Sequence, residues 1–411
     1  MPEYLKLKSL SDAKKIFWEN LSQLHPVEEE IESRAALNRV TFGDILSTES
    51  LPPFTRSTVD GYAVIASSTH GASDALPVYL DLVGEVAMGA EAQIKLEGQQ
   101  TALIHTGGML PEGADAVVMM EQTQKTDGTS IEVLRPVSAG ENIVLKGEDV
   151  KPGDVVIPAG TPMRPAEIGG LLGLGITSVK VAKKPRVAIL SSGDEVIPPE
   201  NAPMIGQVRD INSDSLASLV AEAGGSPQVF PIMPDDREKI NATLKKAYRS
   251  ADVVIVTAGS SASTRDMTAE VFDSLGKPGV LVHGINIKPG KPTILAVCDG
   301  KPLVGLPGNP VSALVIANLI VKPLIQRMLG LAHHRFQPVI EARLTVNLPS
   351  QAGRDEYFPV RIFRRQNHCT ADPIFYKSNL IFSLVRADGM VHIPPEKTGV
   401  PAGETVEVIL F

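Results

Sequence analysis

The chain is poor in cysteine, in aromatic residues and in positive charge. Its 411 residues include two cysteines, Cys298 and Cys369, which are too few for a disulfide framework or a cysteine-based zinc site. Aromatic residues make up 4% of the sequence, which argues against a surface that stacks nucleobases. The 39 Lys and Arg residues against 47 Asp and Glu give a net charge of −8. Because nucleic-acid-binding surfaces usually carry a basic excess, we expect no nucleic-acid partner.

Long hydrophobic runs are also missing. A membrane-spanning helix needs about 18 or more apolar residues, and the longest candidate, residues 311–321, is shorter. The N-terminal sequence MPEYLKLKSLSDAKK has no uninterrupted apolar stretch of the kind found in secretion signals. The sequence therefore predicts a soluble, cytoplasmic protein with no membrane partner.

Glycine and proline, by contrast, are plentiful. The 35 glycines and 32 prolines favour many short elements joined by turns. At roughly 150 residues per domain, the length predicts two to four domains. We predict four domains from the changes in pattern: a helical and linker domain at 1–52 plus 150–183, an inserted β-rich domain at 53–149, a doubly wound domain at 184–331, and a C-terminal β-barrel domain at 332–411.

Local signals support the first and last of these parts. Ser9 and Asp12 form a capping pattern at the start of an amphipathic helix. A second helix is predicted over residues 27–37, because Pro26 precedes an acidic first turn. Near the C-terminus the helical period gives way to β-branched and alternating runs at 339–346, 356–362, 390–393 and 405–410. Such runs are typical of a small β-barrel or sandwich.

Residues 184–331 alternate between apolar strands and amphipathic helices. The runs RVAILS at 186–191 and DVVIVT at 252–257 are apolar enough for strands buried on both faces. Helical patterns occur at 213–223, 237–248, 268–275 and 311–329. This alternation predicts a doubly wound parallel sheet. The predicted fold class is multidomain α/β plus β, with the doubly wound domain flanked by a β-rich N-terminal region and a small C-terminal barrel.

Ligands of such sheets bind beyond the carboxyl ends of the strands. There the sequence places carboxylates and small hydroxyls: Asp194 and Glu195 after one strand, Asp235 after the next, and Ser260 with Asp266 after a third. Each has a plainer interpretation alone, as a helix cap, a turn residue or a solvated acid. Because several strand ends carry such residues, we predict that they converge on one site.

Two rigid turns favour anions. Lys288 and Lys291 flank a Pro-Gly turn, and two like charges held this close are expected to face an anion such as phosphate; a solvated hairpin tip is the alternative. The second turn enters the last helix, where backbone N–H groups suit an oxyanion. It consists of Pro307, Gly308, Asn309 and Pro310. Beside the carboxylates, these turns predict a polyanionic substrate held partly through Mg²⁺.

Three glycine-containing turns lie in the inserted region, and they contain Asp60, Thr106 and Asp149. Each alone is typical of a hairpin turn. The sequence has no nucleophile elbow, Walker A loop or GxGxxG dinucleotide fingerprint. Its histidines show no metal-ligand spacing. These turns therefore indicate no known cofactor by themselves.

Together, six segments resemble the MoeA/gephyrin E-domain family of molybdopterin molybdenumtransferases. They occur in the family's order and cover nearly the whole chain. They are STVDGYAV at 57–64, HTGGMLPEGADAVVMMEQT at 105–123, KGEDV at 146–150, SSGDE at 191–195, KPGKP at 288–292 and GLPGNPVSA at 305–313. Six motifs in the same order make the resemblance highly specific.

The resemblance implies a MogA-like, molybdopterin-binding doubly wound domain and an elongated homodimer of four-domain subunits. The site would lie between that domain and the inserted domain of the partner subunit. The implied reaction converts adenylated molybdopterin and molybdate into molybdenum cofactor, releases AMP and requires Mg²⁺. A molybdopterin adenylyltransferase and acceptor apoenzymes are implied as further partners.

The resemblance also implies roles for individual residues. Catalytic roles would belong to Asp60, Thr106 and Asp149 from the partner's side, and to Glu195 and Asp266 in the doubly wound domain. The metal ligands would be Glu195, Asp235 and Asp266. The residues that hold the pterin substrate and its anionic groups would be Asp194, Ser260, Lys288, Lys291, Pro307, Gly308, Asn309 and Pro310.

The chain departs from the family pattern at two places. Ala258-Gly259-Ser260-Ser261 stands where many members have Gly-Gly-Val-Ser, and Gly284 stands where some have a lysine. Both places line the implied pterin pocket, so insertion of tungstate is an alternative to insertion of molybdate. Two other functions stay open: an adenylyltransferase that uses ATP on the same domain, and a molybdopterin-binding scaffold without catalysis.

Overall fold

The computed structural model describes residues 7–126, 129–258, 262–331, 338–365 and 368–411. Up to residue 182 these contain two helices, α1 (Leu10–Glu19) and α2 (Pro165–Gly173). The strands of this part are β1 (Glu28–Glu32), β2 (Ile45–Leu46), β3 (Arg56–Ser57), β4 (Gly61–Val64), β5 (Val78–Glu85), β6 (Gln100–Ile104), β7 (Ala116–Met119), β8 (Thr123–Lys125), β9 (Ser130–Val133), β10 (Ile143–Val144), β11 (Val155–Ile157) and β12 (Ser178–Ala182).

The helix predicted over residues 27–37 is wrong. These residues form β1, which pairs antiparallel with β12, and then a short 3₁₀ turn. Exposed and half-buried side chains alternate along β1, and Ile31 packs against a small core that includes Leu171 and Val179. Pairing with a distant strand therefore outweighs the helix propensity of the glutamates.

Helix α1 packs against a part of the chain far from it in sequence. Its N-cap is Ser9, whose side chain accepts a hydrogen bond from the backbone N–H of Asp12, as the capping pattern predicted. Leu10, Ala13 and Phe17 are buried in the same core as the strands of the doubly wound domain. The first helix thus completes a core that the later sequence builds.

The inserted region forms a six-stranded sheet in the order β7-β4-β6-β5-β9-β8. Its main core includes Tyr62, Leu80, Val118 and Ile131, which are all fully or almost fully buried. The predicted β-rich character of this region is confirmed. Because β3 pairs with β10, the segments that carry Asp60 and the 146–149 turn are held side by side.

The second half of the described chain begins with the α/β elements. The strands are β13 (Arg186–Ser191), β14 (Val196–Ile197), β15 (Val208–Arg209), β16 (Ser226–Val229), β17 (Val253–Ala258), β18 (Pro278–His283), β19 (Ile287–Lys288), β20 (Ile294–Cys298) and β21 (Lys301–Pro307). The helices are α3 (Asn212–Glu222), α4 (Arg237–Ser250), α5 (Ala262–Ser274), α6 (Pro310–Ile316) and α7 (Lys322–Met328).

The central sheet has the order β16-β13-β17-β21-β20-β18. The first four strands are parallel, as predicted, and β20 and β18 add an antiparallel edge. The antiparallel pairing follows from the Asp299-Gly300 turn between β20 and β21, where both residues have positive φ, as a tight hairpin requires. Helices cover both faces: in β13, Ile189 faces the core on one side and Leu190 the core on the other.

The last helical segment of this domain runs from Pro310 to Met328 through a π-helical turn at Ala317–Val321. At 19 residues it is long and apolar enough to cross a membrane by length and composition, so the expectation that no segment reaches this length is wrong. More than half of it is buried inside the protein. Its apolar composition is explained by packing against the sheet, with Ile316, Ile320 and Leu324 fully buried.

The C-terminal region is a closed barrel, which confirms the predicted fold class. Strands β24, β25, β22, β28 and β26 follow one another, and β26 pairs back onto β24. The elements are β22 (Val339–Leu344), β23 (Leu348–Pro349), β24 (Asp355–Arg364), β25 (Cys369–Pro373), α8 (Phe382–Val385), β26 (Gly389–Ile393), β27 (Gly399–Val400) and β28 (Thr405–Leu410). Strand β19 of the doubly wound domain joins this sheet by pairing in parallel with the start of β24.

Shortening a buried side chain of the central sheet should lower the free energy of unfolding. Leu190 is fully buried between β13 and the helices on one face of the central sheet. We expect Leu190→Ala to destabilise the protein by about 2–5 kcal/mol, because it removes apolar contacts and leaves a cavity. The matched control is Leu76→Ala, since Leu76 is 72% exposed. Urea unfolding followed by circular dichroism should show a lower midpoint for Leu190→Ala alone; equal midpoints would contradict this description of the core.

Candidate active site

Hydroxyl groups link the carboxyl ends of two central strands. Ser191 at the end of β13 lies with its Oγ 2.8 Å from Thr257 Oγ1 and 3.0 Å from Ser213 Oγ. Ser213 Oγ in turn donates a hydrogen bond of 2.6 Å to Asp210 Oδ2. All four residues are buried, so the network fixes the floor of the crevice beyond the strands.

A cavity of about 440 Å³ opens above this floor. The predicted residues Glu195, Gly308, Asn309 and Pro310 line it. Ser192 is 3% exposed, and its Oγ has no hydrogen-bond partner among the described residues. Asn212 Oδ1 is also buried without such a partner, and both residues line the cavity. Because buried polar atoms in native proteins are normally paired, these two atoms suit a polar ligand.

The loop from Pro307 to Pro310 separates this cavity from a second one. Asn212 Nδ2 donates a hydrogen bond of 2.8 Å to Gly308 O, which ties the loop to the start of α3. Asn309 lines both cavities, and its Nδ2 donates a hydrogen bond of 3.0 Å to Ser378 Oγ in the barrel domain. The loop is therefore a shared wall between two neighbouring sites.

The second cavity has a volume of about 640 Å³ and lies between the doubly wound domain and the barrel. Four cationic side chains line it: Lys288, Lys291, Arg354 and Lys377. Arg354 Nε is buried and has no hydrogen-bond partner among the described residues. We call this cavity the cationic cleft. Cationic side chains that line a cleft with low-dielectric walls attract anions.

One buried carboxylate pairs with two of the cations that line the cationic cleft. Glu356 is 1% exposed and accepts hydrogen bonds from Lys288 Nζ, from Ser350 Oγ at 2.8 Å and from Arg354 Nη2 at 3.3 Å. Burial by itself would raise the pKa of Glu356, but the hydrogen bonds from Lys288 and Ser350 and the charges of Lys288 and Arg354 lower it on balance. Glu356 is therefore ionised at neutral pH.

Acidic side chains lie beside the 440 Å³ cavity. A third cavity of about 670 Å³ is lined by Asp194, Asp210 and Asp214 among others, and it shares Asp210 with the first. The backbone N–H of Asp235 donates a hydrogen bond of 3.1 Å to Asp194 Oδ1, which holds these two acidic residues together. The next residue, Asp236, caps α4.

The predicted metal ligands are not assembled into one cluster. Within the described parts of the chain, no group of three or more His, Cys, Asp or Glu side chains is placed to hold a metal ion. Glu195 lines the first cavity, Asp235 precedes α4, and Asp266 is exposed on α5. Ser260 lies outside the described residues.

Asp60 and Thr106 meet at the tip of the inserted domain. The backbone N–H of Thr106 donates a hydrogen bond of 2.8 Å to Asp60 Oδ1, and Thr106 Oγ1 lies 3.3 Å from the same atom. These hydrogen bonds, with His105 nearby, lower the pKa of Asp60. Asp149 is exposed in the loop after β10. The three residues that the resemblance assigns to the partner's side thus lie on the same inserted domain.

This tip is separate from the cavities described above. Among the described residues, no hydrogen bond or ion pair joins residues 53–149 to residues 184–331. One chain therefore presents two groups of predicted site residues: the strand-end cavities and the tip that carries Asp60 and Thr106.

Known families match the chain over most of its length. The description "MoeA N-terminal region (domain I and II)" matches residues 8–175, "Probable molybdopterin binding domain" matches 188–327, and "MoeA C-terminal region (domain IV)" matches 341–411. A molybdopterin biosynthesis protein of Methanocaldococcus jannaschii is 34% identical over 98% of both chains. The chain belongs to the MoeA family. The molybdopterin molybdenumtransferase of Staphylococcus aureus is 32% identical, covering 91% of this chain and 89% of its own.

Solved structures agree with this assignment. The MoeA structure from Pyrococcus horikoshii OT3 superposes with a TM-score of 0.85 and 32% identity, covering 99% of this chain and all of its own. The resemblance drawn from the six sequence motifs is therefore confirmed, as is the doubly wound domain flanked by β-rich parts.

Several residues of this MoeA site escaped the sequence analysis. Asp210, Asn212 and Ser213 form a helix-capping segment, since the Asn212 and Ser213 backbone N–H groups donate to Asp210 Oδ1 at 3.0 and 3.1 Å. Their Asp-x-Asn-Ser pattern signals a helix start but not a cavity wall. Arg354 and Glu356 gave no local signal, because the barrel brings them to the lysines only in the folded chain.

Gly290 controls the shape of the lysine turn. Its φ is +114°, and an added Cβ would overlap the Ile316 side chain. We expect Gly290→Ala to cost about 1–2 kcal/mol in backbone strain and about 1–3 kcal/mol in overpacking, and to weaken anion binding in the cationic cleft. The control is Gly153→Ala, where φ is +91° and space is open. Thermal unfolding should show a larger loss for Gly290→Ala; equal losses would mean that the contact with Ile316 does not constrain the turn.

Proposed function

We propose that this MoeA-family protein inserts molybdate into adenylated molybdopterin, with release of AMP and formation of molybdenum cofactor. One observation supports this most directly: a cationic cleft and a polar strand-end cavity share the wall residue Asn309. Two anionic substrates that must react together would thus be held side by side. Binding them in adjacent sites converts a bimolecular encounter into an oriented one.

Molybdate, a tetrahedral dianion, would bind in the cationic cleft. Lys291 and Lys377 are exposed to the cleft, and Arg354 has an unpaired buried N–H. Ser312 and Ser378 line the same cavity and add hydroxyl donors. Charge-assisted hydrogen bonds from such groups are the strong ones in proteins.

The adenylated pterin would bind in the 440 Å³ cavity and reach across the loop toward the cleft. Ser192 Oγ and Asn212 Oδ1 offer unpaired polar atoms to a heterocycle, and Glu195 lies on the same wall. The pyrophosphate link of this substrate is anionic, so its cleavage depends on positioned charge rather than on a covalent nucleophile.

Mg²⁺ would accompany the substrate phosphates. This ion usually keeps several waters and binds through one or two carboxylates plus substrate phosphates. The adjacent Asp194 and Asp235 fit that donor chemistry, and the lack of a three-ligand cluster among the described residues is compatible with it. The ion would neutralise phosphate charge; the chain's carboxylates would position it.

The catalytic unit would be a homodimer. Asp60 and Thr106 lie on a tip with no hydrogen bond or ion pair to the doubly wound domain within the described ranges. A partner subunit that placed this tip over the strand-end cavities would complete both sites by two-fold symmetry. A cytoplasmic location, a molybdopterin adenylyltransferase as supplier and apoenzymes as acceptors stay predictions.

The activity test is molybdate-dependent release of AMP. We expect the purified protein, given adenylated molybdopterin, Mg²⁺ and molybdate, to release AMP, and we expect Lys291→Ala and Asp194→Asn to lower the rate about 10²-fold or more without loss of fold, because both side chains are exposed. Lys245→Ala and Asp74→Asn are matched controls, because both residues are exposed and remote from the cavities. Parent-like turnover by either site variant would contradict this placement of the site.

The same assay separates the alternatives. An adenylyltransferase would consume ATP and need no molybdate, and a scaffold would bind the pterin without releasing AMP. Replacing molybdate with tungstate tests the tungstate-inserting alternative, and removing Mg²⁺ with EDTA tests the metal requirement.

Complementation tests the shared site. In a purified heterodimer of Asp60→Ala with Lys291→Ala, one of the two sites carries both changes and the other carries none. We therefore expect about half of the parent's activity, although each variant alone is inactive. A heterodimer of Lys288→Ala with Lys291→Ala is the control, because both changes lie on the same domain and each site keeps one defect. Equal inactivity of the two heterodimers would exclude a site shared between subunits.

A further inference from the structure

A buried carboxylate stands among the cations that the proposed function assigns to molybdate. Glu356 is 1% exposed, whereas the Lys288 side chain that donates to it is 52% exposed. Lys288 Nζ also lies 5.7 Å from the centre of the Phe358 ring on the cleft wall. The Lys288 side chain can therefore contact solvent in the cleft, whereas the Glu356 carboxylate stays buried.

The position of Glu356 is fixed by strand pairing and by side-chain hydrogen bonds. Lys288 in β19 is paired in register with Glu356 in β24 across a parallel ladder. Ser350 and Arg354 donate further hydrogen bonds to the same carboxylate. The charge of Glu356 also helps to raise the pKa of Tyr376, after burial as the main cause, so this neighbour stays neutral. Glu356 is thus a buried negative charge paired with Lys288 and Arg354, two of the four cations that line the cleft.

We propose that Glu356 is a competing internal anion that keeps the affinity of the cationic cleft for its oxyanion low. This inference rests on the proposed function. A dianion in the cleft and the Glu356 carboxylate compete for Lys288, and their negative charges repel each other. The competition makes a bound oxyanion easier to pass on to the pterin, because a cleft that binds the ground state too tightly slows the step that follows. Glu356 is therefore a positioning residue for Lys288 rather than a catalytic one.

The decisive variant is Glu356→Gln. It removes the charge and keeps an acceptor for Ser350. By titration calorimetry we expect the Kd for molybdate to fall at least fivefold, while kcat for AMP release falls, so that affinity and turnover move in opposite directions. Glu356→Asp should restore weak binding, because it keeps the charge. The control is Glu341→Gln, the same change at an exposed position on the same barrel. Unchanged or weaker molybdate binding in a folded Glu356→Gln protein would overturn the proposal.

A second variant protects the test if Glu356→Gln does not fold. Ser350→Ala removes one donor from Glu356 and leaves its charge, so the carboxylate must rely more on Lys288. We expect the Kd for molybdate to rise about two- to threefold, the opposite sign. A fall in Kd with Ser350→Ala would overturn the proposal.

The proposed function and the inference about Glu356 would be excluded by different results. If the parent protein binds molybdate and releases AMP but Glu356→Gln does not bind more tightly, competition by Glu356 is excluded and the proposed function stands. If neither the parent nor any variant binds molybdate, the proposed function itself is excluded, and the inference about Glu356 with it.

Discussion

The pairing of the Glu356 carboxylate with two cations is the interaction on which the rest of the site depends. A charge this deeply buried is tolerated only when opposite charges and hydrogen bonds surround it. Lys288 comes from the doubly wound domain, and Arg354 and Ser350 come from the barrel side. The partners of this one carboxylate therefore come from both domains and join them at the cleft between them.

Asp355, the residue before Glu356, also connects distant parts of the chain, from the other face of β24. Asp355 points away from Glu356, since successive side chains alternate along a strand. Its Oδ1 lies 2.8 Å from His392 Nε2, and His392 stacks on Tyr357 with ring centres 4.6 Å apart. Burial lowers the pKa of Lys14 in α1, and the charge of Asp355 opposes that effect. The first two residues of β24 thus connect α1, the doubly wound domain and the barrel.

Local patterns in the sequence were enough for the parts of the molecule that local physics determines. Strands such as RVAILS, the capping of α1 by Ser9 and the lysine turn could all be predicted from neighbouring residues. The failures came from distant partners: β1 became a strand because β12 pairs with it. Likewise, Arg354 and Glu356 join the cleft only because β24 pairs with β19, and no local pattern encodes that pairing.

The packing of α1 has a consequence for how the chain can be divided. Phe17 is fully buried in a core whose other members lie mostly in the doubly wound domain. A fragment that began at the first strand of that domain would lack this helix and would expose apolar surface to solvent. During synthesis, α1 leaves the ribosome long before its binding surface exists. Helix α1 can therefore dock only after the doubly wound domain, which follows it in the chain, has been made.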